Sequence, residues 1–119
     1  MLTFPHYSKV LIVTALLACG SHALEAQTDV TLSPQQRRIM LRMPRPTYPE
    51  EARAQGIIGS GVCEIIIDPP TGVVTRVTVV RSTRSKVLDA AAVRAFRGWR
   101  AQPGKFSRMR VPFTFTFGR

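Results

Sequence analysis

The hydrophobic pattern at the C-terminal end of the chain predicts a strand with an aromatic inner face. Between residues 109 and 117, apolar residues alternate with arginine, proline and threonine. Side chains alternate across a strand, so this pattern predicts one buried and one exposed face. The buried face is predicted to hold Met109, Val111, Phe113, Phe115 and Phe117.

Pro112 places this closing strand at the border of its sheet. Proline has no N–H to donate to a ladder, so it favours an edge strand over a central one. A proline on an edge protects against aggregation, but an edge can also accept an extended peptide by strand addition. The strand pattern alone leaves both roles open.

Two further strands with period-two patterns precede it. Residues 62–68 are predicted to face inward with Cys63, Ile65 and Ile67, and residues 73–81 with Val73, Val77 and Val79. The segment Pro69-Pro-Thr-Gly72 between them has the composition of a turn. Two such strands joined by a short turn predict an antiparallel hairpin.

Two helices complete the predicted fold. Pro49 can serve as the first helical residue of a short helix that Gly56 ends. Ser85 is predicted to be the N-cap of a longer helix, because the hydrophobic period changes from two to 3.6 after it. The apolar stripe of this longer helix is predicted to hold Leu88, Ala91, Ala92, Ala95, Phe96 and Trp99.

The order of these elements predicts an α+β fold. It consists of a three-stranded antiparallel sheet with a short N-terminal helix and one longer helix packed on one face. The first strand is expected to lie between the second and the closing strand, because every pair is then antiparallel. The second and the closing strand would both be edges. This domain is predicted to span residues 44–119, a length sufficient for independent folding.

The N-terminal segment has the features of an export signal. Lys9 precedes an apolar run from Val10 to Cys19. This run is shorter than the about 20 residues of an ordinary membrane span and fits the core of a signal peptide. Residues 1–26 are therefore predicted to be a signal peptide or a lipoprotein signal, and residues 27–43 a polar, basic linker.

Three fates of this signal remain open. Ser21 and Ala23 offer the small residues that a signal peptidase requires, and Ala26 offers a later site. Residues 16–19 also resemble a lipoprotein cleavage box, which would make Cys19 a lipid-bearing N-terminus. The third alternative is an uncleaved signal that anchors the protein.

The net charge of the chain limits the classes of partner that it is expected to bind. The chain of 119 residues carries a formal net charge of +10, nearly all of it from arginine. Such a chain suits an acidic partner or an anionic envelope surface. We expect no nucleic-acid partner, because the chain lacks an aromatic-interleaved basic motif and helix-turn-helix spacing.

The sequence offers no set of residues typical of catalysis or metal binding. Both histidines, His6 and His22, lie in the targeting segment, and Cys63 is the only cysteine after Cys19. Cys63 lies among apolar strand residues, so we expect a buried thiol without a disulfide partner. We expect no enzyme activity, no metal site and no cofactor.

Three spaced motifs resemble the C-terminal domain of the TonB family. The first is Pro46-x-Tyr48-Pro49-x-x-Ala52-Arg53-x-x-Gly56-x-x-Gly59, before the hairpin. The second is Leu88-Asp89-x-Ala91-Ala92-Val93-x-Ala95-Phe96-x-x-Trp99-Arg100-x-x-Pro103. The third is Val111-Pro112-Phe113-x-Phe115 in the closing strand.

The resemblance implies a role and a site. TonB proteins cross the periplasm and bind a short extended segment of outer-membrane receptors, the TonB box, beside the last strand. Inner-membrane partner proteins supply the energy for transport. The resemblance implies docking at Arg110, Val111, Pro112, Thr114 and Thr116, with Tyr48 and Pro49 as further contacts, and it implies a periplasmic location.

One departure from the family leaves a second function open. The long proline-rich spacer of TonB proteins has no counterpart between residues 27 and 43. The first hypothesis is a module that binds receptor segments in TonB-dependent transport. The second is a basic envelope protein that uses the same fold structurally and binds peptidoglycan or another periplasmic protein.

Overall fold

A computed structural model describes residues 25–118. In chain order its elements are β1 (Glu25–Val30), α1 (Pro34–Ile39), β2 (Met40–Arg42), α2 (Glu50–Ala54), β3 (Gly59–Ile67), β4 (Val74–Arg81), α3 (Lys86–Arg97), β5 (Arg100–Ala101) and β6 (Arg108–Gly118). The predicted α+β class is confirmed, and the predicted three strands correspond to β3, β4 and β6.

The main sheet has four antiparallel strands in the order β1-β6-β3-β4. The predicted order of the hairpin and the closing strand is confirmed, because β3 lies between β4 and β6. The prediction that the closing strand is an edge is wrong. β1 pairs with β6 on its other side, so β6 is an interior strand and β1 forms the edge.

The stretch treated as a linker in the sequence contains regular structure. Most of β1 falls within residues 27–43, followed by α1 and β2. Ser33 caps α1: its side chain accepts from the backbone of Gln36 at 3.1 Å, and the Gln36 side chain accepts from the backbone of Ser33 at 2.9 Å. This reciprocal capping box satisfies donors at the start of the helix.

The hairpin between β3 and β4 depends on one glycine. Gly72 has a φ of +77°, a conformation that residues with a side chain rarely adopt. Its N–H donates to the carbonyl of Asp68 at 2.7 Å, and its own carbonyl accepts from Ala101 at 2.8 Å. The same turn therefore connects the hairpin to β5.

The core lies between one face of the sheet and α3. Its fully buried large side chains are Phe96, Phe113, Phe115, Ile65, Ile67, Leu88, Val111 and Cys63. Trp99 is also buried, as predicted, and its indole N–H donates to the carbonyl of Pro44 at 2.9 Å. This bond holds the segment before α2 against the end of α3.

Five predicted inward positions differ from the structure. Val73 lies before β4, where it forms an isolated bridge to Arg100, and it is 42% exposed. The other four are only partly buried: Val77, Val79, Ala95 and Phe117. A periodic pattern shows which face of an element turns inward, but it does not report how far the covering element extends.

Candidate protein-docking edge

The backbone groups of β6 face alternate sides along the strand. The carbonyl of Ser107, just before β6, accepts from Ile67 at 2.9 Å on the side of β3. The carbonyl of Pro112 accepts from Thr31 at 3.0 Å on the other side. These directions alternate along an antiparallel strand. The backbone N–H and carbonyl groups of odd-numbered residues of β6 therefore point toward β3, and those of even-numbered residues point toward β1.

Thr114 and Thr116, two predicted docking residues, lie on the side that β1 covers. Thr114 is paired with Asp29 and Thr116 with Gln27 in the antiparallel ladder. The outward backbone groups of these two threonines therefore pair with β1 of the same chain. Another part of the same chain therefore covers the side of β6 that the sequence predicted to be free.

Pro112 marks the end of this internal ladder. In an antiparallel hydrogen-bonded pair the two residues exchange two bonds. Thr31 donates to Pro112, but proline has no N–H with which to return the second bond. The next residues of the chain leave the sheet, since Ser33 caps α1.

Arg110 lies on the same side of β6, beyond the end of β1. Within residues 25–118, no strand pairs with its outward backbone groups, since the β1 ladder runs only from Phe113 to Gly118. Its side chain is 71% exposed and lies 3.8 Å from the carboxylate of Glu64. Such an exposed ion pair contributes little stability, so the guanidinium can interact with a partner.

Val111, another predicted docking residue, faces the core rather than the surface. Its side chain is fully buried in the core. Because Val111 is an odd-numbered residue of β6, its backbone N–H and carbonyl groups point toward β3, where it is paired with Cys63. A strand added on the outer side of β6 could therefore form hydrogen bonds with the residues on either side of Val111, but not with Val111 itself.

Tyr48 lies beneath the end of β6. Its ring contacts Phe115 edge-on at a centroid distance of 5.3 Å and lies 5.4 Å from the ring of Phe117. Its hydroxyl donates to the carbonyl of Ile57, and burial raises the pKa of this hydroxyl. Tyr48 therefore fixes the segment before α2 to the sheet, and only its margin is available to a partner.

Pro49 forms the start of α2 and borders a shallow surface. It occupies the N-cap position without a side-chain cap, and its ring lines a groove shared with Val87 and Arg94 of α3. A second groove runs past Ala26 and Phe117 toward α2. The two predicted contact residues thus lie on the helical side of the sheet, close to the end of the β1–β6 ladder.

The helix-free face of the sheet carries a basic cluster near the hairpin turn. Ile66 of β3 is flanked in register by Arg76 on β4 and by Arg108 on β6. The next row places Glu64 between Thr78 and Arg110. Arg110 is the third member of this basic cluster. It lies in the part of β6 whose outer backbone β1 does not cover.

The remaining chemistry is limited in the described part of the chain. Between residues 25 and 118, no three histidine, cysteine or acidic side chains come together to hold a metal ion. Helices long and apolar enough to cross a membrane are absent from the same range. The predicted lipidation site, Cys19, lies outside the described residues.

Sequence reasoning missed β1 and α1, although the sequence contains a signal for each. Ala26, Thr28 and Val30 alternate with polar residues, which is the period-two pattern of a strand. Assigning residues 1–26 to the signal divided this pattern in two. For α1, Ser33-Pro34-x-Gln36 is the sequence signature of a capping box with proline at the first helical position.

Comparison with known proteins gives the family. The sequence model described as Gram-negative bacterial TonB protein C-terminal matches residues 44–117. The chain is also similar to the solution NMR structure of the Pseudomonas aeruginosa TonB C-terminal domain. The sequence identity is 24% and the TM-score 0.49, over 76% of this chain and 86% of that chain. No curated protein matches the chain.

The fold and the edge of β6 define a small α+β module suited to protein interaction. Because the family match spans more than half of its length, the chain belongs to the TonB C-terminal family. This family comprises protein-interaction modules of the cell envelope and, in general, its members interact with outer-membrane receptors. β1 lies outside the matched range.

Proposed function

We propose that this protein is a TonB-like periplasmic module that binds TonB-box segments of outer-membrane receptors by strand addition to β6. It acts through binding and carries out no catalytic step. Its partners include an outer-membrane receptor and, for energy supply, inner-membrane proteins of TonB-dependent transport.

One observation carries this proposal. The outer side of β6 holds an extended segment, β1, in continuous antiparallel register from Glu25↔Gly118 to Val30↔Phe113. An edge that accepts one extended segment has the backbone geometry to accept another, because main-chain hydrogen bonds supply most of the affinity in strand addition. Family membership supports the same partner class.

Charge supports the predicted recognition at Arg110. Its exposed guanidinium stands beside the uncovered outer backbone of β6, and Arg108 precedes it on the same face. Basic groups at the margin of an interface accelerate association with an acidic partner more than they increase the final affinity. We therefore propose that Arg110 guides an acidic receptor segment onto the strand.

The test is a titration followed by backbone NMR. The exported protein, purified from the cell envelope, is mixed with a TonB-box-like peptide, and shifts are expected along residues 108–118. The control peptide differs by a single central proline, which prevents continuous strand pairing. If residues 108–118 remain unperturbed in a folded protein, the proposed binding is wrong.

A matched pair of variants tests the role of Arg110. Arg110→Ala is expected to slow association with the acidic peptide at low salt, whereas Arg76→Ala on the opposite edge is expected to leave the rate unchanged. Stopped-flow measurements at two salt concentrations give both rates. Equal effects of the two substitutions would contradict guidance by Arg110.

The second candidate function is attachment to an anionic envelope polymer such as peptidoglycan. The basic cluster of Arg76, Arg108 and Arg110 on the helix-free face favours it. Binding would weaken steeply with salt, because exposed charges are screened. Co-sedimentation with purified peptidoglycan should then be lost in the triple alanine variant, while the titration with the TonB-box-like peptide shows no shifts.

Export is part of the same proposal, with three alternative fates of the signal. Mass spectrometry of the purified protein distinguishes cleavage after Ala23 or Ala26 from a lipidated N-terminus at Cys19 and from an uncleaved signal that anchors the protein. Cleavage after Ala26 would remove the first two residues of β1. The processing site therefore determines the length of the strand that lies on β6.

A further inference from the structure

β1 occupies the side of β6 at which the proposed function places a receptor segment. Six residue pairs join the two strands, and the bond from Thr31 to Pro112 adds half of a seventh. An external segment cannot pair with residues 113–118 while β1 is in place. Docking over that length therefore requires β1 to leave.

The composition of β1 is suited to a strand that can dissociate from β6. None of its residues is fully buried, and none belongs to the buried core. Its inward residues Ala26, Thr28 and Val30 are small or β-branched and lie opposite the phenylalanines of β6. Its outward residues are Glu25, Gln27 and Asp29. β1 thus adds no buried residue to the main hydrophobic core, and only Ala26 and Val30 pack against it as partly buried side chains.

The rest of the N-terminal segment stays attached when β1 moves. The backbone of Gln102 donates to the carbonyl of Ile39 at 2.7 Å, and β2 pairs with β5. The side chain of Gln102 also donates to the carbonyl of Arg38 at 3.4 Å, so this attachment holds the C-terminal end of α1. β1 precedes α1 in the chain and can therefore swing away while that end of α1 stays in place. A detached β1 would remain tethered near its site, and a tether makes rebinding efficient.

The uncovered backbone at Arg110 offers a starting point for exchange. β1 ends at the level of Pro112, so an incoming segment can form its first hydrogen bonds at Arg110 without displacing anything. It can then extend past Pro112 toward Gly118 and replace β1 one pair at a time. Pro112 itself leaves the last β1 pair incomplete, which weakens the end at which exchange begins.

We propose that β1 is an exchangeable internal strand that occupies the docking edge of β6 until an external segment displaces it. The external segment has the pattern of β1: small or β-branched residues facing inward, alternating with polar and acidic residues facing outward. The inference rests on the proposed function for the receptor as the source of that segment. The exchange itself can be tested without any receptor.

The first test uses a peptide of this chain's own sequence, residues 25–32, as the probe. By alternation from Thr31, the N–H of Asp29 faces β6 and that of Thr28 faces away. Asp29→Pro therefore removes a ladder bond, while Thr28→Pro introduces the same residue type without removing one. Calorimetry is expected to show at least tenfold tighter peptide binding to Asp29→Pro than to Thr28→Pro. Equal affinities would overturn the proposal.

The second test locks β1 in place. Gln27 and Thr116 form a pair whose Cα atoms lie about 5.5 Å apart in such a ladder, within the range of a disulfide. The variant Gln27→Cys with Thr116→Cys is prepared with Cys19→Ala and Cys63→Ala. The oxidised form should not bind the peptide and the reduced form should bind it. Equal binding to both forms would overturn the proposal.

A parallel titration with the TonB-box-like peptide separates the two hypotheses. If the chain's own peptide behaves as expected and the receptor peptide binds no variant, the exchangeable strand stands and the proposed function is wrong. If the receptor peptide binds the oxidised and reduced forms equally, the exchange is wrong and the proposed function stands. Fluorescence of Trp99, the single tryptophan, verifies folding of each variant.

Discussion

The backbone N–H of Thr31 donates to the carbonyl of Pro112 at 3.0 Å, and Pro112 has no N–H with which to complete the pair. This incomplete pair fixes where the internal strand stops on β6. It also separates the covered part of the edge, residues 113–118, from the uncovered backbone at Arg110.

Pro112→Val should hold β1 more firmly. The new N–H can donate to Thr31 and complete the pair, which contributes about 0.5–1.5 kcal/mol. We expect amide hydrogen exchange at Thr31 and Asp29 to slow by about two- to tenfold. Pro103→Val is the control, because it removes a proline from an exposed turn. Loss of a proline by itself raises the entropy of the unfolded chain and so cannot slow exchange. Equal changes in the two variants, or no slowing in Pro112→Val, would contradict the added bond.

Gly72→Ala should destabilise the domain strongly. A Cβ at Gly72 would lie 1.8 Å from the carbonyl oxygen of Ala101, in addition to the strain of its positive φ. Gly104→Ala is the matched control, since its φ is +78° but no atom lies within 4 Å of the added Cβ. We expect about 1–2 kcal/mol of destabilisation for Gly104→Ala from strain alone.

The additional clash at Gly72 should cost about 1–3 kcal/mol more. Urea unfolding followed by Trp99 fluorescence measures both free energies of unfolding. Equal losses for the two variants would contradict the close approach of the β3–β4 turn to β5.

Asp89 should contribute stability that disappears in acid. Burial alone would raise its pKa, but hydrogen bonds from Ser82 and Thr83 outweigh burial and lower the pKa below the ordinary value of 3.8. Because the folded-state pKa is depressed, the contribution is fully present well above 3.8 and is lost as the pH falls through the folded pKa. Asp89→Asn should therefore destabilise the domain at neutral pH by about 1–3 kcal/mol.

The difference between wild type and Asp89→Asn should shrink below pH 3.8. Urea unfolding at a series of pH values measures it. Glu51→Gln on the exposed surface is the control for removal of one carboxylate. A difference that is independent of pH would contradict the role of the charged form of Asp89.

Cys63 should resist thiol reagents in the folded protein. Burial, followed by the nearby charge of Asp89, raises the pKa of its thiol to about 11. Since the thiolate is the reactive form, the thiol should be almost inert at pH 8. A disulfide-exchange reagent applied to the Cys19→Ser variant should modify Cys63 only after denaturant is added. Rapid modification of the native protein would contradict its burial.

The hairpin and the long helix could be predicted from the sequence because their patterns are local. Cys63, Ile65 and Ile67 alternate across a strand, and Leu88, Ala92 and Phe96 recur with the helical period. Each set faces the core as predicted. The buried position of Trp99 was predicted for the same reason, although its bond to Pro44 joins residues far apart in the chain.

The predicted docking residues show the limit of prediction from local patterns. Arg110, Pro112, Thr114 and Thr116 were correctly placed on one face of the closing strand by alternation. Alternation does not reveal which neighbour occupies the other side of a strand, because pairing partners are separated by most of the chain. Val30 and Phe113, for example, meet in the ladder although they lie at opposite ends of the described chain.

The sequence by itself determined the α+β class, the order of β4, β3 and β6, and the membership in the TonB C-terminal family through its spaced motifs. These features depend on local periodicity and on turn and cap residues. Only the tertiary structure decided that β1 covers the outer side of β6 and stops at Pro112. That pairing depends on long-range backbone geometry, since main-chain hydrogen bonds are available to almost any sequence.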